Sequence, residues 1–108
     1  MSYKISATSD FTRELKRLQK KHSSIKADLA KLGATLKENP EQGTPIGRGC
    51  YKIRLNITSK KKGKRGGARV ITYVQIVETT VFLLTIYDIS EKESLSDAEL
   101  ADLLTNLP

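Results

Sequence analysis

The sequence predicts an α+β domain in the order β-α-α-β-β-β-α, an antiparallel sheet with a helical hairpin packed on one face. Three observations carry this prediction. Apolar residues repeat at helical spacing in two consecutive segments between residues 11 and 36, and three later runs are rich in β-branched and aromatic residues. A capping box near the C-terminus announces one further helix. Such a pattern usually resolves into helices laid against one side of an antiparallel sheet.

The elements follow in order. Tyr3 to Ala7 alternate as a short strand, and Thr8, Ser9 and Asp10 are residue types that cap a helix N-terminus. Phe11, Leu15 and Leu18 then mark the apolar stripe of a first helix, with Arg13, Lys16, Arg17, Lys20 and Lys21 on its outer face. His22, Ser23 and Ser24 interrupt it. Ile25, Leu29, Leu32 and Leu36 form the stripe of a second helix that Asn39-Pro40 ends, because the residue before a proline avoids the helical region. Residues 41–49, with Gly43, Pro45, Gly47 and Gly49, read as a connecting loop.

In Tyr51 to Thr58 the apolar residues fall on one face and Lys52, Arg54, Asn56 and Thr58 on the other. Lys60 to Gly67 has no residue that can enter a core and reads as a basic hairpin loop. Ala68 to Val77 and Thr80 to Ile89 are the next two strands, joined by a tight turn at Glu78-Thr79. Ser96-Asp97-Ala98-Glu99 is the capping box, followed by the stripe Leu100, Leu103, Leu104 and Leu107. Side-chain phase assigns Val70, Thr72, Val74 and Ile76, with Phe82, Leu84 and Ile86, to the core. Arg69, Ile71, Tyr73, Thr85 and Tyr87 then share the open face with Lys52 and Arg54.

Composition narrows the partners. At 108 residues the chain is expected to form a single domain, residues 1–108, and its 38% apolar content is ample for a core. Nineteen Lys and Arg against twelve Asp and Glu give +7, which attracts polyanions, with nucleic acid first among them. One cysteine, Cys50, forms no internal disulfide, and with one histidine, His22, no Cys/His zinc site is expected. No signal-type or membrane-spanning segment is read, so a cytoplasmic location and no membrane partner are expected.

The element order, together with Cys50-Tyr51-Lys52-Ile53-Arg54-Leu55, Lys64-Arg65-Gly66-Gly67-Ala68-Arg69-Val70-Ile71 and Leu83-Leu84-Thr85-Ile86-Tyr87, resembles the RelE/ParE toxin superfamily. Within it, the sequence looks most like the HigB-like branch. The resemblance implies a RelE-like fold and the toxin of a type II toxin-antitoxin system. Its activity would be that of a ribosome-dependent endoribonuclease, or mRNA interferase, cleaving translated mRNA in the ribosomal A site. The implied partners are a cognate antitoxin, the ribosome with its rRNA, and mRNA; no metal and no cofactor are implied. Lys52, Arg54 and Arg69 match the basic residues such enzymes carry on their middle strands. Asp88 and Ile89 stand where the type enzyme has a basic residue after the last strand, and the terminal helix holds no tyrosine. Tyr87, Lys92 or the basic loop then has to substitute.

Cutting RNA without a metal requires removing the 2′-OH proton, stabilising charge on the attacked phosphorus and protonating the 5′-oxygen that leaves. With its histidine expected at a helix turn, this chain has to use Lys, Arg and Tyr, whose ordinary pKa values of about 10 and above suit a base poorly. Clustered cations help, since they disfavour a further protonated lysine and favour tyrosinate. The expected roles are Lys52 as base, Arg54 and Arg69 as phosphate clamps, and Tyr87 as acid or positioning group. Lys60, Lys61, Lys62, Lys64, Arg65 and Lys92 would meet RNA phosphates, and Tyr73 would stack on a base. Two alternatives remain open: a ParE-like gyrase inhibitor, and a ribosome- or RNA-binding module without catalysis. Without the resemblance, sequence pattern alone favours reading the same cations as the wet face of a one-sided sheet, and the resemblance reverses that.

Overall fold

A computed structural model describes residues 2–59 and 67–108. Its elements are β1 (Lys4–Ala7), α1 (Ser9–Gln19), α2 (Ile25–Glu38), β2 (Thr44–Gly47), β3 (Cys50–Leu55), β4 (Ala68–Gln75), β5 (Thr80–Asp88) and α3 (Asp97–Thr105). The strands form one sheet in the order β1-β5-β4-β3-β2. The α+β class and its helices stand as the sequence predicts.

Two features depart from the expected order. The segment read as a loop contains β2, which pairs antiparallel with β3 through Thr44, Pro45 and Gly47. A strand of four residues holding a proline and a glycine gives no alternation signal, and the sheet edge is where proline is tolerated because one side needs no donor. The sheet is also mixed rather than antiparallel throughout, since β1 runs parallel to β5. Strand direction is set by the path of the chain through α1 and α2, which local sequence does not encode.

Local chemistry explains the helix ends. The Thr8 hydroxyl accepts the Phe11 amide at 3.1 Å and donates to the Leu83 carbonyl, so one residue caps α1 and ties it to β5. Ser96 and Glu99 complete the reciprocal capping box of α3. Phe11, Leu18, Ile25, Leu32 and Leu36 of α1 and α2 pack on Ile53, Leu55, Val70, Val74, Val81, Leu83 and Ile86. Each such large apolar side chain, fully buried, contributes roughly 1.5–3 kcal/mol.

The opposite face is not left open. Leu100, with Leu103, Leu104 and Leu107, packs on Cys50, Ile71, Leu84 and Tyr87, so α3 covers part of the second face. The expected phase of β5 is also corrected. Ile71 pairs with Thr85 but Thr72 pairs with Leu83, a register shift that leaves Leu84 without an opposite residue. Val81 and Leu83 therefore face the helical hairpin, whereas Phe82 and Leu84 join the α3 side. Ile76 is not a core residue: it lies in the turn 76–79 and is exposed, like Val77.

Candidate nucleic-acid interface

The register of the three central strands decides which side chains meet. Arg54 stands opposite Arg69, and Arg69 stands opposite Tyr87, so the three form one row across β3, β4 and β5. Lys52 is opposite Ile71 in the next row that points to the same side. The structure thus brings Lys52, Arg54, Arg69 and Tyr87 together on the face that α3 partly covers. The bulge lies between Ile71 and Thr72, and without it Tyr87 would not share a face with Phe82 and Leu84.

Like charges directly opposite on neighbouring strands repel. Here no carboxylate among the described residues forms an ion pair with Lys52, Arg54 or Arg69. Among the described residues the Arg69 guanidinium donates only to the neighbouring Ala68 carbonyl, at 3.1 Å. The contrast with α1 is informative. Its outer face was expected to be simply cationic, yet Arg17 bonds Glu14 and Glu91, and Lys21 bonds Glu91 at 2.5 Å. Among the described residues, the carboxylates near α1 are paired with its cations, and none is paired with the sheet cations.

Tyr87 is only 5% exposed, and its buried hydroxyl has no hydrogen-bond partner among the described residues. Burial raises its pKa; Arg69 and Lys92 oppose that rise, and Glu99 adds to it. The expected drift toward tyrosinate is thus reversed, because loss of solvent outweighs the nearby cations. Tyr87 is thus held as the protonated phenol. Beside it lies a cavity of about 440 Å³ between α1 and α3, lined by Tyr87, Thr85, Lys92, Glu99, Arg13 and Leu103 among others. Lys52, Arg54 and Arg69 do not line it, so the row reaches the cavity only through Tyr87.

The remaining expected site residues are more dispersed. Lys92 forms an ion pair with Glu99 beside Tyr87. Tyr73 stacks on Phe82 with ring centroids 6.3 Å apart, two rows along from Arg69. Lys60, Lys61, Lys62, Lys64 and Arg65 lie outside the described residues; the strand after them begins beyond Gly67, whose φ of +83° and close approach to the Leu55 carbonyl exclude a side chain.

Sequence reasoning missed one pair. His22, expected as a helix-end residue, is buried, and its Nε2 lies 2.8 Å from Oδ2 of Asp88. Asp88 is fully buried on the hairpin side, where its other oxygen accepts the amide and hydroxyl of Ser90 at 2.9 and 2.8 Å. Asp88 therefore anchors the α1–α2 turn to the end of β5. It does not put a negative charge among the sheet cations. Sixty-six residues separate the partners, and no local pattern signals the pairing.

No protein-family model matches the chain. The fold is similar to that of solved E. coli RelE structures. An arginine-substituted RelE variant in the free state matches with a TM-score of 0.58 and 21% identity over 98% of this chain and 94% of that one. The isolated RelE toxin in a second crystal form matches with a TM-score of 0.56 and 21% identity, over 98% of this chain and all of that one. What is shared at this identity is the fold, and the chain folds as RelE does.

Proposed function

We propose that this protein is a RelE-type toxin, a ribosome-dependent endoribonuclease that cuts translated mRNA in the A site and is neutralised by a cognate antitoxin. The observation that carries the reading is the row Arg54–Arg69–Tyr87 with Lys52 beside it, a cationic group without carboxylate partners among the described residues.

In this reading Arg54 and Arg69 clamp the scissile phosphate and stabilise the charge that builds on it, since guanidinium forks match phosphate oxygens. Lys52 accepts the 2′-OH proton. The 2′-oxygen then bonds to phosphorus as the bond to the 5′-oxygen breaks, leaving a 2′,3′-cyclic phosphate and a free 5′-OH. Tyr87, protonated at neutral pH, gives its proton to the departing oxygen. RNA has to reach a hydroxyl that is now covered, so the Lys92–Glu99 pair next to it opens on substrate entry and Lys92 turns to phosphate. Tyr73 stacks on a base further along the face, and Lys60, Lys61, Lys62, Lys64 and Arg65 add phosphate contacts.

Four such side chains make a weak catalyst for a free, floppy RNA. Orientation by the ribosome supplies several kcal/mol, within the roughly 7–11 kcal/mol that ideal positioning offers. The test is primer extension on mRNA from cells expressing the parent chain or its Tyr87→Phe variant, which should show new 5′ ends within translated codons for the parent alone. The burial of Tyr87 favours one second reading, a protein that binds RNA or ribosomes without cutting; that reading predicts ribosome association with no new ends from either chain.

A further inference from the structure

The cavity between α1 and α3 that Tyr87 borders has a charge balance opposite to that of the chain as a whole. The protein carries +7, yet among the described residues the cavity wall holds five carboxylates against three cations. All three cations are already engaged within that wall: Arg13 with Asp10 at 2.7 Å, Arg17 with Glu14 and Glu91 at 3.2 and 3.0 Å, and Lys92 with Glu99. Lys21, outside the wall, adds a second bond to Glu91. Asp102 forms no ion pair among the described residues. It follows Glu99 by three positions in α3, which sets the two carboxylates side by side on one helix face. The Glu99 carboxyl is held below its ordinary range by the bond from Lys92 and then by the Ser96 amide, so it is charged at neutral pH.

Two further features suit a small ligand. The Tyr87 hydroxyl is buried with no hydrogen-bond partner among the described residues, and Lys92 and Glu99 stand near enough for their charges to act on it. Its oxygen is free to accept from an N–H donor. Leu95 and Leu103 supply an apolar wall beside these polar groups, and the volume of about 440 Å³ lies within the roughly 300–1,000 Å³ of small-molecule sites. The Lys92–Glu99 pair next to the hydroxyl is partly exposed, so it contributes little and opens readily.

We propose that this cavity binds a small aliphatic diamine: one ammonium group replaces that of Lys92 between Glu99 and the Tyr87 hydroxyl, and the other meets Asp102. A stem of about four carbons spans the roughly 5–6 Å between neighbouring positions on a helix face and lies against Leu95 and Leu103. Lys92 turns out to solvent. An anion would meet only cations that are already bonded, together with the unpaired Asp102. The sheet cations Lys52, Arg54 and Arg69 do not line the cavity, and the proposal does not rest on the RNA-cleaving reading.

The test titrates the whole protein, ¹⁵N-labelled, with three four-carbon compounds of opposite or no charge: 1,4-diaminobutane, 1,4-butanediol and succinate. The diamine should bind saturably and shift the amide signals of Tyr87, Lys92, Glu99 and Asp102, with no such effect from the other two. The Glu99→Gln, Asp102→Asn double variant, in which glutamine keeps the capping box, should weaken binding at least tenfold, and Tyr87→Phe at least threefold. Lys92→Gln, which removes the competing ammonium, should tighten it at least threefold, a gain that no folding defect produces. Lys52→Ala, Arg54→Ala, Arg69→Ala should not weaken it, so the site stands whether or not the chain cuts RNA. Binding of succinate as tight as that of the diamine, weaker diamine binding by Lys92→Gln, or indifference to the double variant would each overturn the proposal. Tighter binding of a capped Gly-Lys-Gly peptide than of the diamine would also overturn it, in favour of a protein side chain.

Discussion

Arg54 and Arg69 face each other directly across β3 and β4, and among the described residues no carboxylate pairs with either. A like-charge pair in that position costs stability, roughly 0.2–1 kcal/mol by the scale of cross-strand pairs. A protein selected only for folding would place a threonine or a glutamate at one of the two. Arg54→Thr, at the more exposed position, is therefore expected to raise the free energy of unfolding by about 0.5 kcal/mol in urea titration while weakening RNA binding. The same variant should lower the slope of log affinity against log salt by about one phosphate contact.

The Tyr87 hydroxyl separates chemistry from stability in another way. A buried hydroxyl with no partner costs about 1–3 kcal/mol relative to one that is bonded, and that of Tyr87 has none among the described residues, so Tyr87→Phe should be neutral or up to about 1 kcal/mol more stable. Its RNA cleavage should nonetheless fall about 10²–10⁴-fold, the usual contribution of a general acid. Thermal unfolding and cleavage of translated mRNA, measured on the same preparation, check both halves.

Acid sensitivity is expected from Asp28. Its burial works against ionisation, but the Thr58 hydroxyl and amide and the Ser24 hydroxyl outweigh that and hold its carboxyl below the ordinary value. A carboxyl whose pKa is lowered on folding contributes stability that is fully present above its unfolded pKa, about 3.9, and lost as pH falls through the folded one. Stability should therefore drop below about pH 4, and Asp28→Asn should be less stable at pH 7 but show a shallower acid limb. Urea midpoints from pH 7 to 2.5 report the difference.

Much of this was legible in the residues. Helical stripes at Phe11–Leu18 and Ile25–Leu36 and the Ser96–Glu99 capping box are local signals, and the corresponding helices form where those signals lie. Lys52, Arg54, Arg69 and Tyr87 were legible as a group because strand alternation and the resemblance agreed on them. What stayed hidden depends on distant parts of the chain. The parallel placement of β1 follows from a crossover through two helices, and the Leu84 bulge from a mismatch between two strands that neither sequence shows alone. The burial of Tyr87 required knowing that α3 folds back over the second face. The His22–Asp88 pair joins residues whose separate roles look ordinary.

Cys50 should be chemically silent in the native state. It is buried, and burial pushes its thiol up to about 11 although Arg48 partly offsets this. Since the thiolate is the reactive form, iodoacetamide at pH 7.5 should label native protein at least tenfold more slowly than protein unfolded in urea, where the thiol returns to about 8.5. Equal rates would mean that β3 frays at its start.

The central claim concerns what the cationic row does, and 5′-end mapping addresses it most directly. Bacteria would express the parent chain or its Lys52→Ala, Arg54→Ala, Arg69→Ala variant, and primer extension would map mRNA ends with and without a start codon on the reporter. The account predicts new ends inside translated codons with the parent, none on the untranslated reporter and none with the triple variant. Growth arrest by the parent without new RNA ends would contradict it and point to gyrase or another protein as the target.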